Sequence, residues 1–385
     1  MVECMDVCIF GLFIDSIKSL IMHYLFYLGH PAHFHLFKNT IKSLIEADNQ
    51  ISVLIKKKDI LEDLIKRSGI NYLNILPEGR KNTRSGIVLG VLKRDWRLFR
   101  YCFINRPDVM IGTSTEIGHA GTLLRIPSIN VNEDDANVVP LYSKLSYPFC
   151  SYILSPAVCT NGKWENKSIK YQGYHELAYL HPGNFIPSKE IVENYITTDK
   201  PYFLIRFAQL NAHHDKGVRG ISDEFALKII EILKPYGNVF ITSERKLSKK
   251  FERFRLQIDP LHIHHVMAFA SLYIGDSQTM AAESGVLGIP FIRFNDFVGR
   301  IGYLNELENK YQLGYGVKPD EPERLFQLIR NLMKMENRTV IFICRRQRML
   351  QEKINVSKFL TWFISDYPTS VEIMRKNPDA QCNFR

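Results

Sequence analysis

The sequence lacks the cysteine patterns that mark zinc sites and disulfide frameworks. Its seven cysteines are scattered over 385 residues, and no two of them have C-x-x-C spacing. An odd number of dispersed cysteines is typical of reduced thiols in a cytoplasm, so we expect a cytoplasmic protein.

The sequence also lacks a secretion signal and a long apolar run near its start. Residues 1–21 carry acidic Glu3 and Asp6 where a signal peptide requires basic residues, and Asp15 interrupts the apolar run. The segment is too short and too polar to span a bilayer. A cleaner strand–loop–helix pattern begins at Met22. We therefore expect translation to begin there, with residues 1–21 as a non-native or accessory extension; the alternative is a helix packed on the body.

The composition is that of a folded protein. Hydrophobic residues make up 45% and charged residues 23% of the chain, and the length is sufficient for two domains. The formal net charge of +10 favours anionic partners, such as nucleotide phosphates, an acidic membrane or nucleic acid. No base-stacking or helix-turn-helix signature supports nucleic acid, so we expect none as a partner.

Short apolar runs alternate with helical patterns twice along the chain. This alternation predicts an α/β protein of two Rossmann-like domains, whose parallel sheets face each other across a cleft. The predicted divisions are a first domain at 22–155, a linker at 156–200, a second domain at 201–338, a C-terminal helix at 339–366 that returns to the first domain, and a frayed tail at 367–385.

The strongest candidate site is the loop 275–285 between a predicted strand and a helix of the second half. Such a turn directs free N–H groups and the positive end of the helix dipole at the cleft, which suits a diphosphate. A carboxylate one turn further on could bind two ribose hydroxyls. The alternative is an ordinary N-cap followed by a solvated glutamate. The candidate residues are Asp276, Ser277, Gln278, Thr279 and Glu283.

The string DSQTMAAESGVLGIPFI in this loop resembles the nucleotide-sugar signature of the glycosyltransferase-B superfamily. That superfamily includes the peptidoglycan GlcNAc transferase and the non-hydrolysing UDP-GlcNAc 2-epimerases. Over residues 22–366 the chain more closely resembles an uncharacterised bacterial and archaeal family, domain of unknown function 354. The blocks that carry this resemblance are LGHPAHFHLFKN, YQGYHELAYLHP, RFAQLNAHHDKGVRGI and IHHVMAFASLYIGDSQTMAAESGVLGIP. The resemblance implies the glycosyltransferase-B architecture and a nucleotide-sugar substrate.

Three imidazoles stand in the loop after the first predicted strand. In inverting glycosyltransferases of this architecture a histidine in this loop deprotonates the acceptor hydroxyl. The resemblance implies that role for His33, with His30 as second choice, while His35 is expected to pack or cap. A structural role and a metal site are the alternatives, although the spacing is poor for tetrahedral ligation.

Other candidates follow predicted strands. Arg206 could neutralise phosphate charge, and Asp215 could hold the tautomer of His214. Glu133, in an acidic turn, could act as general base or bind sugar hydroxyls. Each could instead be a cap or a solvated surface residue. The candidates of this group are Glu133, Arg206, His214, Ser243, Glu244 and His265.

Residues 80–100 combine a short apolar block at 87–92 with flanking cations and Trp96. The block is too short to span a bilayer but long enough to dip into headgroups, which predicts peripheral contact with the anionic inner face of the plasma membrane. The peptidoglycan transferase meets a lipid-linked acceptor through a similar patch, so the resemblance implies a lipid-linked or sugar acceptor. The alternative is an ordinary helix with Leu89, Leu92, Trp96 and Phe99 facing the core. The flanking cations are Arg80, Lys81, Arg84, Lys93, Arg94, Arg97 and Arg100.

These features predict a glycosyltransferase with a nucleotide-sugar donor, by analogy a UDP-sugar, in cell-surface polysaccharide or glycolipid synthesis. No D-x-D pair stands where it would hold a cation on the diphosphate, so we expect a reaction without metal or cofactor. A 2-epimerase is the alternative, although epimerases typically show two consecutive glutamates where this chain has Ala282-Glu283. A nucleotide-sugar-binding protein without turnover is the third possibility.

Overall fold

The computed structural model describes residues 21–58, 60–78, 84–197, 199–208 and 219–385, with side chains described from residue 90 onward in the helix that begins at residue 84. Two fully parallel β-sheets form the framework, and helices follow the strands in each half. The prediction of two Rossmann-like α/β domains is therefore confirmed.

The first sheet has seven strands in the order β3-β2-β1-β4-β5-β6-β7. Its central strands are buried along their whole length, because helices cover both faces. The strands are β1 (His23–Leu28), β2 (Gln50–Lys56), β3 (Leu73–Leu76), β4 (Val109–Gly112), β5 (Ser128–Val131), β6 (Tyr152–Pro156) and β7 (Ser168–Tyr171). The helices of this half are α1 (Pro31–Glu46), α2 (Leu61–Ser68), α3 (Arg84–Asn105), α4 (Thr115–Leu124) and α5 (Pro140–Ser146).

The second sheet has five strands in the order β12-β11-β10-β8-β9. Its strands are β8 (Tyr202–Phe207), β9 (Asn238–Ser243), β10 (Leu272–Gly275), β11 (Phe291–Phe294) and β12 (Gly314–Val317). Its helices are α8 (Asp223–Leu233), α9 (Ile263–Ala268), α10 (Gln278–Leu287), α11 (Gly302–Asn305) and α12 (Pro322–Lys334).

The segment predicted as a linker contributes to the first sheet. Strand β7 pairs in parallel with β6, with Ile153 opposite Ser168, so the first sheet extends to residue 171. Two short helices, α6 (Leu177–Leu180) and α7 (Lys189–Glu193), then carry the chain to the second domain.

The C-terminal region consists of three α-helices, α13 (Arg338–Glu352), α14 (Val356–Ser365) and α15 (Thr369–Lys376), followed by a short 3-10 helix (Pro378–Phe384). The predicted single helix is divided where Asn355 caps α14 by accepting a hydrogen bond from the Lys358 N–H. Helix α14 packs against α1 of the first domain. The tail beyond residue 366 is folded, contrary to the prediction, because Gln381 is buried and accepts a hydrogen bond from the Gln172 N–H (2.6 Å).

The ordinary-helix alternative for α3 is right for Phe99, which is half-buried against the core, and wrong for two other residues of the predicted face. Leu98 and Cys102 are fully buried, and Arg94 is buried in an ion pair with Glu116. Leu92 and Trp96, expected to face the core in the ordinary-helix alternative, are 59% and 63% exposed.

Several cations of segment 80–100 are engaged in ion pairs. Lys93 and Arg97 both bind Glu78, in addition to the buried pair of Arg94. Arg80 and Lys81 lie outside the described residues. No helix in the described part of the chain is long and apolar enough to cross a membrane.

Candidate functional site

The carboxyl end of β10 leads directly into the N-terminus of α10. Ser277 caps the helix by accepting a hydrogen bond from the Met280 N–H (3.4 Å). The first N–H groups of a helix have no acceptor within it, so this end offers donors and the positive end of the dipole. Thr279 is half-buried in the first turn. The geometry is that of an anion site on the second domain.

Gly275 allows the close approach of strands at this point. A Cβ there would collide with the Tyr273 hydroxyl and lie 2.9 Å from Arg206 Cβ. Gly275 is paired with Arg206 on β8, so the loop and the arginine are neighbours. Only glycine fits at this position.

Asp276 holds the loop in place rather than facing the cleft. It is 1% exposed, and its carboxylate accepts hydrogen bonds from the N–H groups of Ala208 (2.6 Å) and Ile221 (3.3 Å). Burial raises the pKa of Asp276 to about 6. The residue therefore ties α10 to the loop that follows β8.

The remaining candidates on this side are also engaged with the protein. Arg206 forms an ion pair with Glu244, so two predicted residues meet. The Ser243 hydroxyl donates to the Arg245 carbonyl (2.6 Å) in a local turn. Gln278 Oε1 lies 3.4 Å from Arg293 Nη1. Gln278 is the first residue of α10, and Arg206 is the strand partner of Gly275, at the start of the loop that leads into this helix.

His30 and His33 lie at the N-terminus of α1, in the loop that follows β1. His30 is the N-cap, and its Nδ1 accepts from the Ala32 N–H (3.2 Å). His33 Nδ1 accepts from the Gly29 N–H (3.1 Å), and Thr113 Oγ1 lies 2.5 Å from its Nε2. Burial, and then the neighbouring His30 and Lys56, lower the pKa of His33 well below its ordinary value. His33 is therefore a neutral imidazole with a partner at each nitrogen.

Glu133 lies at the junction between the domains, against the segment that follows β7. Its Oε2 accepts from the His175 N–H (3.1 Å), and its Oε1 lies 3.4 Å from His175 Nδ1. Burial, followed by the charges of Glu176 and Asp134, raises the pKa of Glu133 well above its ordinary value. Burial lowers the pKa of His175 to about 3, so the imidazole is neutral.

Glu176, beside this pair, was not among the predicted site residues. It is 0% exposed, and neither carboxylate oxygen has a hydrogen-bond partner within the described residues. Burial raises the pKa of Glu176 to about 8. A signal for it is present in the block YQGYHELAYLHP, where Glu176 is the one carboxylate in a segment that is mostly apolar and aromatic.

Glu283 is buried at the same junction instead of being solvated. Its Oε1 accepts hydrogen bonds from the Tyr179 hydroxyl (2.8 Å) and from His264 Nε2 (2.9 Å). The His35 ring packs on the His264 ring with centroids 4.9 Å apart, so His35 packs within the protein, as expected from the sequence. His265 Nδ1 accepts from the Ser188 N–H (3.0 Å), on the segment between the domains.

A family model described as "Protein of unknown function (DUF354)" matches residues 25–297. The chain belongs to the DUF354 family. No curated protein matches the chain.

Solved structures share the fold of this DUF354 protein at low sequence identity. The Staphylococcus aureus protein MnaA, solved with UDP, is 12% identical, with 91% of this chain and 98% of that chain covered and a TM-score of 0.66. The UDP-GlcNAc 2-epimerase of Neisseria meningitidis, bound to UDP-GlcNAc, is 15% identical, with 92% and 100% covered and a TM-score of 0.57. The spinosyn forosaminyltransferase SpnP is 12% identical, with 89% and 99% covered and a TM-score of 0.58. The glycosyltransferase-B architecture is thereby confirmed.

Two predicted features of the DUF354 protein stay open. His214 lies in the stretch 209–218, outside the described residues. Among the residues that the structure describes, no three His, Cys, Asp or Glu side chains converge to hold a metal ion. The metal-free reaction stays a prediction.

Proposed function

We propose that this protein is a metal-independent glycosyltransferase that takes a nucleotide-sugar, with a UDP-sugar as first choice, in cell-surface polysaccharide or glycolipid synthesis. The observation that carries the proposal is the N-terminus of α10, whose free N–H groups lie beside Arg206 at the carboxyl ends of β8 and β10. Glycosyltransferases and proteins solved with UDP or UDP-GlcNAc share the fold.

In this proposal the diphosphate binds at the first turn of α10. The N–H groups of the turn and the Thr279 hydroxyl donate hydrogen bonds to it, and the helix dipole stabilises its charge. The Arg206 side chain either leaves its ion pair with Glu244 to contact the phosphate, or keeps that pair and partly neutralises the phosphate charge at a distance. As the glycosidic bond to the diphosphate breaks, these preorganised donors stabilise the negative charge on the leaving group.

The acceptor binds on the first domain, beside the N-terminus of α1. His33 takes the proton of the acceptor hydroxyl, because a neutral imidazole is the form that can accept one. The basic nitrogen is Nδ1, which accepts from the Gly29 N–H, so this bond gives way to the acceptor hydroxyl while Nε2 keeps its proton beside the Thr113 hydroxyl.

A 2-epimerase is the second candidate, and one observation favours it. Glu133 and Glu176 are buried carboxyls with raised pKa values near the cleft, beside the neutral His175. Removal and return of a proton on opposite faces of a sugar ring require such a set of acids and bases. The Neisseria meningitidis epimerase has the same fold.

Calorimetric titration of the full chain with UDP, GDP, CMP and their sugars tests nucleotide binding. We expect UDP and UDP-sugars to bind, and Ser277→Ala and Thr279→Val to weaken UDP binding by about tenfold or more, since each removes a hydroxyl at the anion site. Ser188→Ala is the matched control, because Ser188 caps α7 in the same way away from this site. The proposal is wrong if no nucleotide binds or if the control loses as much affinity.

Mass spectrometry and chromatography of the products then separate transfer, hydrolysis and epimerisation. Glycosyl transfer requires a sugar acceptor in the panel, whereas epimerisation changes the UDP-sugar alone. Turnover in EDTA equal to that with Mg²⁺ is expected for the metal-independent reaction.

A further inference from the structure

The segment after β7 brings two ionisable residues, His175 and Glu176, to the junction of the domains. They meet Glu133 from the loop after β5, through the hydrogen bond from the His175 N–H. Tyr303 of α11 and Glu283 of α10 are also close enough to interact electrostatically. Burial, and then the charges of Glu133 and Glu176, raise the pKa of Tyr303, and burial, followed by the charge of Glu283, raises the pKa of Glu176. We call Glu133, His175 and Glu176 the junction cluster.

The junction cluster is buried without being satisfied. Glu176 is 0% exposed with both oxygens unpartnered, and His175 Nε2 and the Tyr171 hydroxyl also lack partners within the described part of the chain. Buried polar groups in folded proteins are nearly always hydrogen-bonded, so a concentration of unpaired atoms requires an explanation. Donors and acceptors arranged in this way fit a ligand that supplies the missing bonds.

The charges around the cluster indicate the chemistry of that ligand. Asp134 and Glu283 act on Glu176 with negative charge, and the imidazole of His175 is neutral. A phosphate would be repelled by these carboxyl groups and belongs at the helix terminus and Arg206 instead. A neutral ligand with many hydroxyls, each both donor and acceptor, matches the unpaired atoms.

The position relative to the diphosphate site agrees with this chemistry. Glu283, which lies beside the cluster, is on α10 five residues after Gln278, or about 7.5 Å along the helix axis. The first turn of α10 and the residue that borders the cluster are therefore less than two turns apart on a single helix, within the length of one nucleotide-sugar molecule.

We propose that His175 and Glu176, with Glu133, form the subsite for the sugar ring of the nucleotide-sugar, and that the Glu176 carboxyl donates a hydrogen bond to a ring hydroxyl. The inference rests on the proposed function and adds the residues that recognise the sugar. Because burial raises the pKa of Glu176 to about 8, the carboxyl keeps its proton at neutral pH and can donate it.

The sugar reaches these groups when the two domains separate. The described structure is closed over the cluster: the Gly302 N–H donates to Asp135 (2.7 Å), and Tyr174 binds Glu306. In this proposal the segment 302–306, where the charges of Glu133 and Glu176 act on Tyr303, moves away from the loop 132–136 to admit the sugar.

The test compares the affinities for UDP and for UDP-sugars, using the full chain in calorimetric titrations with UDP, UDP-GlcNAc, UDP-glucose and UDP-galactose. The wild type is expected to bind one UDP-sugar more tightly than UDP. In Glu176→Leu the ratio of the affinity for this UDP-sugar to the affinity for UDP should fall by at least tenfold, while the affinity for UDP itself stays within about twofold of the wild type. Glu176→Gln, which keeps a donor and an acceptor of the same shape, should retain most of the preference. Glu190→Gln, on the exposed surface of α7, is the control and should equal the wild type.

Melting temperatures recorded for every variant exclude misfolding as the cause, and Glu176→Met replaces Glu176→Leu if the latter fails to fold. Retention of the sugar preference by the leucine or methionine variant would overturn the subsite, as would a wild type that shows no preference for any UDP-sugar over UDP. Absence of UDP binding to the wild type is a different result, because it overturns the proposed nucleotide site itself. A loss of preference with unchanged UDP affinity is not expected from a purely structural role.

Discussion

The protein contains two buried glutamates in opposite situations. Glu116, in the first domain, is 3% exposed and forms an ion pair with Arg94 of α3. Although burial acts in the other direction, Arg94 and Lys56 hold the pKa of Glu116 below its ordinary value. Glu176, at the junction, is 0% exposed, has no described partner, and has its pKa raised to about 8.

This difference in pairing and pKa distinguishes Glu116, which stabilises the fold, from Glu176, which we propose binds a ligand. A buried charge with a partner becomes part of the framework, and breaking the pair leaves the other charge unpaired. A buried acid without a partner contributes little to the framework, and a raised pKa at a domain cleft is typical of functional sites. The same residue type thus has opposite meanings in two places of one chain.

The largest expected effect is on stability. Glu116→Leu should lower the free energy of unfolding by about 3–5 kcal/mol, because Arg94 is left buried without its partner. Glu176→Leu should change it by less than about 1 kcal/mol or raise it, because an unpaired carboxyl is replaced by an apolar side chain. Urea unfolding followed by circular dichroism measures both.

The double variant Arg94→Met/Glu116→Leu is the control and should recover most of the stability, since neither charge remains. Equal losses in the two glutamate variants would show that Glu176 is part of the framework after all.

His33 lies between these two cases, because it is half-buried and yet has a partner at each ring nitrogen. His33→Ala should lower turnover by about a hundredfold or more and leave UDP affinity nearly intact, as expected for a general base. His30→Ala is the comparison, because His30 is an exposed cap of the same helix. Equal activity of the two variants would remove the base role from His33.

The pH dependence of stability sharpens the comparison further. The pKa of Glu176 rises from 4.5 to about 8 on folding, so between these values the folded protein holds a proton that the unfolded chain has lost. The contribution is fully present below pH 4.5 and is lost as the pH rises to 8, by up to about 1.4 kcal/mol per pH unit. Glu176→Gln should flatten this decline.

Unfolding measured between pH 6.5 and 8 checks the sign. Glu133, whose pKa is raised as well, contributes in the same direction, so the slope should decrease without vanishing. The pKa of Asp276, at about 6, lies below this window. Neutral histidines whose pKa is lowered by burial, such as His33 and His175, act in the opposite direction near pH 6.5, because the unfolded chain binds protons that they do not. The difference in slope between the wild type and the variant is therefore the criterion, and an unchanged slope in the variant contradicts the assignment.

The fold could be predicted because its signals are local. Each buried strand is a short apolar run, and Gly69 and Gly275 stand at positions where a positive φ or a close approach requires glycine. The face of α3 could not be predicted, because the partner that buries Arg94 is Glu116, 22 residues away on another helix. Likewise, the folded tail depends on contact between Gln381 and the backbone of Gln172, 209 residues earlier.

The candidate site divides in the same way. The helix terminus at Ser277 follows from a strand, a turn and a cap in one stretch of sequence. Glu176 is buried because segments distant in sequence pack together around it, and the sequence of each segment by itself does not predict this burial. Asp276 was assigned to the ligand because the backbone groups that occupy its carboxylate, on Ala208 and Ile221, are distant in sequence.

The smallest expected effect on stability concerns the exposed side of α3, opposite the buried Arg94. Leu92, Trp96 and Phe103 are each more than half exposed there, and the Phe99 ring stacks between Trp96 and Phe103 at 6.0 and 6.2 Å. Because these side chains contribute little to the core, Trp96→Gln/Phe103→Gln should change the free energy of unfolding by about 0.5 kcal/mol or less.

The same variant should lose membrane contact if the predicted peripheral role is right. Arg94 is buried in its ion pair, so the cations that can reach an anionic lipid are exposed ones such as Arg100 and Arg106, the latter over the Phe103 ring at 5.2 Å. In flotation experiments the wild type should bind anionic vesicles and not neutral ones, since each nearby cation contributes roughly 1 kcal/mol on an anionic surface. Trp96→Gln/Phe103→Gln and Arg100→Glu/Arg106→Glu should each abolish binding, whereas Ile186→Gln, a change at an 82% exposed apolar residue elsewhere, should not. Absence of binding to either vesicle would remove the membrane role and leave an ordinary amphipathic helix. A concentration-dependent dimer that the aromatic substitutions disrupt would instead assign this stripe to contact between proteins.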